Sequence, residues 1–346
     1  MIRYLLFFKY KDKKGSQDLT EEVPEDLIGE VMSHLSFKDI IFGEFIRKGS
    51  FTHLMKADIE FKDGRRYKVS VKLLKDTEDF KVDEREEKCL LDEARYMGTL
   101  PKHDNVVTML GALTEESPVC LVFEFCPYGN LKGHLLAVKG WFERGSHSGV
   151  QKEAMYQQLR QYCMDVALGM AFLEEMKCVH RQLSARNVYV ANGKKCKISE
   201  LGASSAVLED EEYEVRTKGR LPIRWMALES IQDCVYNTKT DVWSFGIVLW
   251  EIFNFGDEPY PEMTVKDVIY ELQQGYRMPS SDYSSGDMYS LMEQCWQEDQ
   301  LNRPSFIEIT EILENNICGK EVRAGTSNSK SSNRDGSHPT ETVSAL

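Results

Sequence analysis

Few side chains in these 346 residues combine a charge with a setting that would aim it. Lys72 falls on the opposite parity to Tyr67, Val69, Val71 and Leu73, so a strand here turns those four to one face and Lys68, Ser70 and Lys72 to the other. An ammonium held in this way can neutralise anionic oxygens, and Glu93 lies on the flank of the charged stretch that follows. The alternative for Lys72 is one more solvated strand lysine. Asn187 can offer an amide oxygen to a divalent ion, or can simply cap a loop. Glu200 offers a carboxylate, whereas Gln182 carries a neutral amide that cannot take a proton at any working pH. Glu209, Asp210, Glu211 and Glu212 run into Tyr213, which reads either as a solvated acidic loop or as a tyrosine whose added phosphate could pair with Arg216 or Arg181.

The elements that would position these groups show in the apolar periodicity. Residues from about 37 to 73 look like strands, with Ile59 and Phe61 alternating ahead of the hairpin signal Asp63-Gly64. Residues 82–100 read as a charged helix whose Leu90, Ala94 and Met97 recur at helical spacing. Residues 109–125 return to strand composition until Pro127-Tyr128-Gly129-Asn130 breaks it. Beyond the break, Leu159, Tyr162, Cys163, Val166, Met170 and Leu173 form one helical stripe, and residues 242–255 are apolar on all sides, the mark of a buried helix. Between Val138 and Lys152 the sequence reads as a short surface insertion. The pattern predicts an α+β protein in two lobes, a small strand-rich one with one helix and a larger, mainly helical one, without internal repeats.

Composition narrows the chemistry. Against 43 Lys+Arg stand 56 Asp+Glu, a formal net charge of −13, the wrong sign for tracking phosphate backbones, so no nucleic-acid partner is expected. With 42% hydrophobic and 29% charged residues, the chain is not a wholly disordered one. Nine scattered cysteines without a C-x-x-C pair fit reduced thiols in a cytosolic setting better than bridges or a zinc site. The patch Tyr4-Leu5-Leu6-Phe7-Phe8 followed by Lys9, Lys11, Lys13 and Lys14 is too short to span a bilayer, and reads as a frayed start or as the last turn of a membrane helix continuing upstream. From Gly319 the composition predicts disorder. The ending Ser344-Ala345-Leu346 could add as a strand to a peptide-binding domain, or be a bland tail.

Several motifs, taken together and in order, resemble the protein kinase family and within it the receptor tyrosine kinases. Val69-Ser70-Val71-Lys72 resembles the third-strand lysine motif, residues 180–187 (His-Arg-Gln-Leu-Ser-Ala-Arg-Asn) the catalytic loop, and Glu200-Leu201-Gly202 the metal-binding triplet. Pro222-Ile223-Arg224-Trp225-Met226-Ala227-Leu228-Glu229, Asp241-Val242-Trp243-Ser244-Phe245-Gly246 and Arg303-Pro304-Ser305-Phe306 complete the set. The resemblance implies a bilobal kinase domain over residues 38–317, with an N-lobe at 38–126 and a C-lobe at 127–317, between a juxtamembrane-like segment at 1–37 and a disordered tail at 318–346. It also implies ATP held by Gly49, Lys72, Glu93, Asn187 and the interlobe residues Glu124 and Cys126, behind a bulky Phe123 that is equally an ordinary core aromatic. Mg²⁺ would sit on Asn187 and Glu200, Arg186 and Lys72 would join the catalytic set, Tyr213 would be the phosphosite, and Glu229 and Arg303 would form a structural ion pair.

The departures from the family pattern fall on the chemistry. Gln182 stands where the family has its catalytic aspartate, and loss of a positioned general base typically costs about 10²–10⁴ in rate. Glu200 replaces the metal-holding aspartate and reaches one methylene further, while Mg²⁺ demands near-octahedral geometry. In Arg47-Lys48-Gly49-Ser50-Phe51-Thr52 only the middle glycine of the phosphate loop survives. The expectation is therefore a pseudokinase that signals as a scaffold or allosteric partner. The alternatives are an active protein-tyrosine kinase and an ATP-sensing module without turnover. The partners implied are other kinase domains and phosphotyrosine-reading proteins, on the cytoplasmic side of the plasma membrane if the chain belongs to a receptor, and otherwise in the cytoplasm.

Overall fold

The computed structural model describes residues 35–49, 52–61, 64–75, 84–114, 118–145, 148–204 and 221–327. Strands β1 (Ile40–Lys48), β2 (Thr52–Glu60), β3 (Arg66–Leu74), β4 (Met109–Leu113) and β5 (Cys120–Glu124) pair antiparallel in the order β1-β2-β3-β5-β4. The alternation expected of β3 is present: Val69, Val71 and Leu73 join Ile59, Met55 and Val122 in one apolar layer. The opposite face is buried too, with Ser70 and Lys72 each 6% exposed, because helix α1 (Glu84–Thr99) and the second lobe cover it. Leu90, Ala94 and Met97 of α1 are buried, and so is Glu93. The expected start of this helix, near residue 82, lies outside the described residues.

The second lobe is helical, as expected, and is joined to the sheet by the turn at Gly129, whose φ of +70° suits a residue without a side chain. Helix α2 (Leu131–Arg144) is capped by Asn130, whose side chain accepts from the Gly133 amide at 2.9 Å. Helix α3 (Gly149–Glu175) follows, with a capping box at Ser148 and Gln151. The surface insertion expected between Val138 and Lys152 is thus shorter than predicted, since residues through Arg144 are helical. Phe142 explains the extension: it stacks on Phe255 and meets Tyr283 edge-on, tertiary contacts that override the glycine at 140.

A two-stranded ribbon, β6 (Val188–Val190) and β7 (Cys196–Ile198), carries the polar run at 180–187 into the cleft. After the short helix α4 (Leu228–Gln232), helix α5 (Thr238–Phe253) is buried at every residue from Thr240 to Phe253. It ends at Phe253 rather than 255 because the chain turns left-handed at Phe255 and Gly256, and a Cβ on Gly256 would lie 2.7 Å from the Lys132 carbonyl. Helices α6 (Val265–Gln273), α7 (Gly286–Cys295) and α8 (Phe306–Ser327) complete the lobe. Helix α8 runs past residue 318, where the tail was expected to begin. Phe306, Ile309 and Leu313 anchor its first turns in the core, and each residue added to a nucleated helix gains a hydrogen bond.

Candidate active site

The β3 register sets Lys72 opposite Leu54 on one side and Leu121 on the other, inside the sheet and pointing toward α1. Its ammonium lies 2.8 and 2.9 Å from the two carboxylate oxygens of Glu93. Both side chains are nearly inaccessible, at 8% and 4%, so neither charge has water as a substitute partner. Gly202 packs on the same pair, and a Cβ there would collide with the Glu93 carboxylate. The triplet at 200–202 therefore needs its glycine for close approach rather than for φ.

The run at 180–187 is pinned from below by α5. Asp241 accepts from the His180 amide at 2.7 Å and the Arg181 amide at 3.0 Å, which holds Arg181 at a φ of +64°. The His180 ring sits 2.9 Å from the Ser199 carbonyl, and Asn187 donates from its amide nitrogen to the Gln182 carbonyl at 2.7 Å. Glu251, also on α5, accepts from the Ala185 amide and the Trp225 indole. The loop that presents Gln182 is thus held along its length by buried acceptors, and its frame does not depend on the side chain at 182. Arg186 is exposed, with its guanidinium 5.0 Å from the centre of the Trp225 ring.

Burial pushes the Asp241 carboxyl up from 3.8 to about 7, against the pull of its two backbone donors and Arg181. A native value above the unfolded one means that the folded chain holds an extra proton across that interval. The group's contribution to stability is then fully present at the acid end and is lost as pH rises toward 7. Asp241→Asn removes this titration, so between pH 5 and pH 8 the melting temperature of the parent should fall relative to that of the variant. A difference that stays constant over the range would contradict the assignment.

Glu200 takes a left-handed backbone, φ +68°, which aims its carboxylate back at β3. Its Oε2 lies 3.5 Å from Lys72 Nζ and its Oε1 3.3 Å from Arg47 Nη1. Burial alone would raise this carboxyl, but Lys72 and Arg47 outweigh it and hold the group below its ordinary value. Arg47 Nη1 also donates to Asn187 Oδ1 at 2.9 Å. The two oxygen donors expected to receive Mg²⁺ are therefore already met by a guanidinium and an ammonium. A hard divalent ion coordinated by oxygen does not fit this arrangement while Arg47 stays where it is. Among the described residues, no group of three or more His, Cys, Asp or Glu could hold a metal ion.

Beside these charges is a narrow cavity of about 20 Å³, room for little more than one ordered water as the side chains now stand. Leu54, Ser70, Val107, Phe123, Cys126 and Tyr189 line it together with Lys72, Glu93, Glu124, Ser199 and Glu200. Phe123 reaches it because β5 pairs it with Ser70. The Glu124 carboxylate is engaged with Lys197 at 2.8 Å and the Thr108 amide at 2.7 Å, which ties the interlobe strand to the second lobe. Gly49 lies at the end of β1, its amide bonded to the Thr52 carbonyl, and a Cβ on it would come within 2.6 Å of that oxygen. Tyr213, its acidic neighbours and Arg216 lie outside the described residues, and Arg181 is buried over the Tyr236 ring.

Sequence reasoning missed Tyr189. It is 5% exposed, lies against the cavity, and its hydroxyl is buried without a hydrogen-bond partner among the described residues. The only available signal was its position, alternating from Asn187 into a three-residue strand. Away from the cleft, Arg303 and Glu229 form a bidentate pair at 2.5 and 3.0 Å.

Residues 40–313 match the family model described as protein tyrosine and serine/threonine kinase. The chain is 35% identical to a fibroblast growth factor receptor of Hydra vulgaris across 86% of its own length and 36% of the relative's. It is 35% identical to the tyrosine kinase receptor Cad96Ca of Drosophila melanogaster, covering 71% of this chain and 31% of that protein. It is 32% identical to the macrophage colony-stimulating factor 1 receptor of Felis catus, covering 79% and 34%. The chain thus spans about a third of the length of these curated relatives, and among its described residues no helix is long and apolar enough to cross a membrane. A family that generally uses ATP and Mg²⁺ accounts for the paired Lys72 and Glu93 and for the pinned loop at 180–187, and this chain is a receptor-tyrosine-kinase-like member of the protein kinase family.

Proposed function

We propose that this domain works in tyrosine-kinase signalling mainly as a scaffold or allosteric partner, with weak or no phosphotransfer of its own. The observation that carries the reading is a carboxamide, Gln182, on a loop whose surrounding frame is intact. Positioning remains and proton acceptance does not. The pair at Lys72 and Glu93 supports the second reading, an active kinase transferring the γ-phosphate of ATP to protein tyrosine, since it is the arrangement such transfer requires. The partners that fit are other kinase domains and phosphotyrosine-reading proteins, and the place is the cytoplasmic face of the plasma membrane, if the natural protein extends upstream as its relatives' lengths suggest. Tyr213 would serve as a site phosphorylated by the partner.

The test mixes the purified chain with an active receptor tyrosine kinase domain and follows that kinase's rate. An allosteric partner changes the rate, and Lys72→Arg, which keeps the charge opposite Glu93 but displaces it from nucleotide, changes it equally. An effect lost with Lys72→Arg assigns the signal to this chain's own catalysis and overturns the proposal.

A further inference from the structure

We infer that Arg47 takes the place of the divalent cation in this cleft, so that a nucleoside triphosphate binds here without metal, its phosphates met by the Arg47 guanidinium and the Lys72 ammonium. The inference rests on the reading of the cavity as a nucleotide cleft and specifies how that cleft would recognise its ligand. Arg47 reaches Asn187 Oδ1 at 2.9 Å and Glu200 Oε1 at 3.3 Å from the end of β1, while Lys72 approaches the other Glu200 oxygen at 3.5 Å. Every oxygen that would coordinate a cation already faces one. A doubly charged ion placed among them would be repelled by both side chains at a few ångströms, in a site where low polarity weakens screening.

Arg47 is also equipped to receive an anion. Both of its contacts run through Nη1, a guanidinium carries five N–H donors, and 36% of the side chain is open to solvent. Two positive charges, Arg47 and Lys72, are balanced by two negative ones, Glu93 and Glu200, so the site is neutral before ligand arrives. An incoming phosphate can be met by the other N–H groups of the guanidinium while Nη1 stays on Glu200 and Asn187. The buried Tyr189 hydroxyl, unpartnered among the described residues and lining the same cavity, is a second group that a polar ligand would satisfy.

Calorimetric titration of the full chain with ATP, once in EDTA and once in excess Mg²⁺, tests this without any variant. The expected result is binding in both, with dissociation constants agreeing within about threefold. Tightening by Mg²⁺ beyond that, or no binding in either condition, overturns the inference. Arg47→Ala, its fold checked by its melting profile, should bind about tenfold or more weakly in EDTA. A variant that binds metal-free ATP as well as the parent also overturns it. Because the readout is binding rather than transfer, metal-tightened binding by a chain silent in phosphotransfer would sink this inference and leave the proposed function standing. Brisk transfer together with metal-independent binding would do the reverse.

Discussion

Arg303→Met should destabilise the domain by about 3–5 kcal/mol, the usual cost of leaving one partner of a buried ion pair uncompensated. For a domain of this size that corresponds to a fall in melting temperature on the order of 10 °C. Arg303 is 2% exposed, and besides its two bonds to Glu229 it donates to the carbonyls of Gln297 at 2.8 Å, Lys239 at 3.0 Å and Glu298 at 3.3 Å. Its guanidinium also lies 5.0 Å from the centre of the Trp243 ring, on α5. Methionine fills much of the space but satisfies none of these acceptors, and it strands the Glu229 carboxylate. Adding Glu229→Leu removes that stranded charge, so the double variant should recover part of the loss while the three carbonyls keep the remainder. Thermal unfolding of the parent and both variants measures this. A single variant that melts within a degree or two of the parent would show that the pair is not the joint between α4 and the segment leading into α8.

Gln182→Asp combined with Glu200→Asp should raise phosphotransfer to a tyrosine peptide about 10²–10⁴-fold, the range a positioned general base supplies. The loop frame makes so large a gain from two side chains reasonable. The Asp241 carboxylate, the His180 ring and the Asn187 amide fix the backbone of residues 180–187 through contacts that leave the side chain at 182 uninvolved. An aspartate there inherits the geometry and adds the missing acceptor. The second substitution withdraws the 200 carboxylate by one methylene from Arg47 and Lys72, which loosens the contacts that now occupy it. An initial-rate assay on the double variant checks the gain. A double variant no faster than the parent would place the defect elsewhere, in the narrow cavity around Phe123 and Tyr189.

The two lobes were legible in the sequence because each rests on a periodicity the chain keeps for a whole element, two in β3 and an all-round apolar surface in α5. The pairing of Lys72 with Glu93 was legible in part: strand parity and helix flank follow from local geometry, and the kinase resemblance supplied the choice of partner. Arg47 was harder. In the sequence it shows only as a departure from the glycine pattern of the phosphate loop, and its grip on Asn187 and Glu200 depends on the second lobe closing under β1, which no local pattern encodes. Tyr189 was invisible for a similar reason, since in a strand of three residues one aromatic reads as core. The surface loop expected after Val138 failed because the partners of Phe142 lie more than a hundred residues away, at Phe255 and Tyr283.

The most direct measurement is the rate at which the purified chain, with ATP and Mg²⁺, labels a tyrosine peptide, set beside the same rate for Lys72→Arg. A domain whose loop presents a carboxamide at 182 should give two slow rates that cannot be told apart. Rapid labelling by the parent, abolished by Lys72→Arg, would show that this cleft transfers phosphate without a carboxylate at 182.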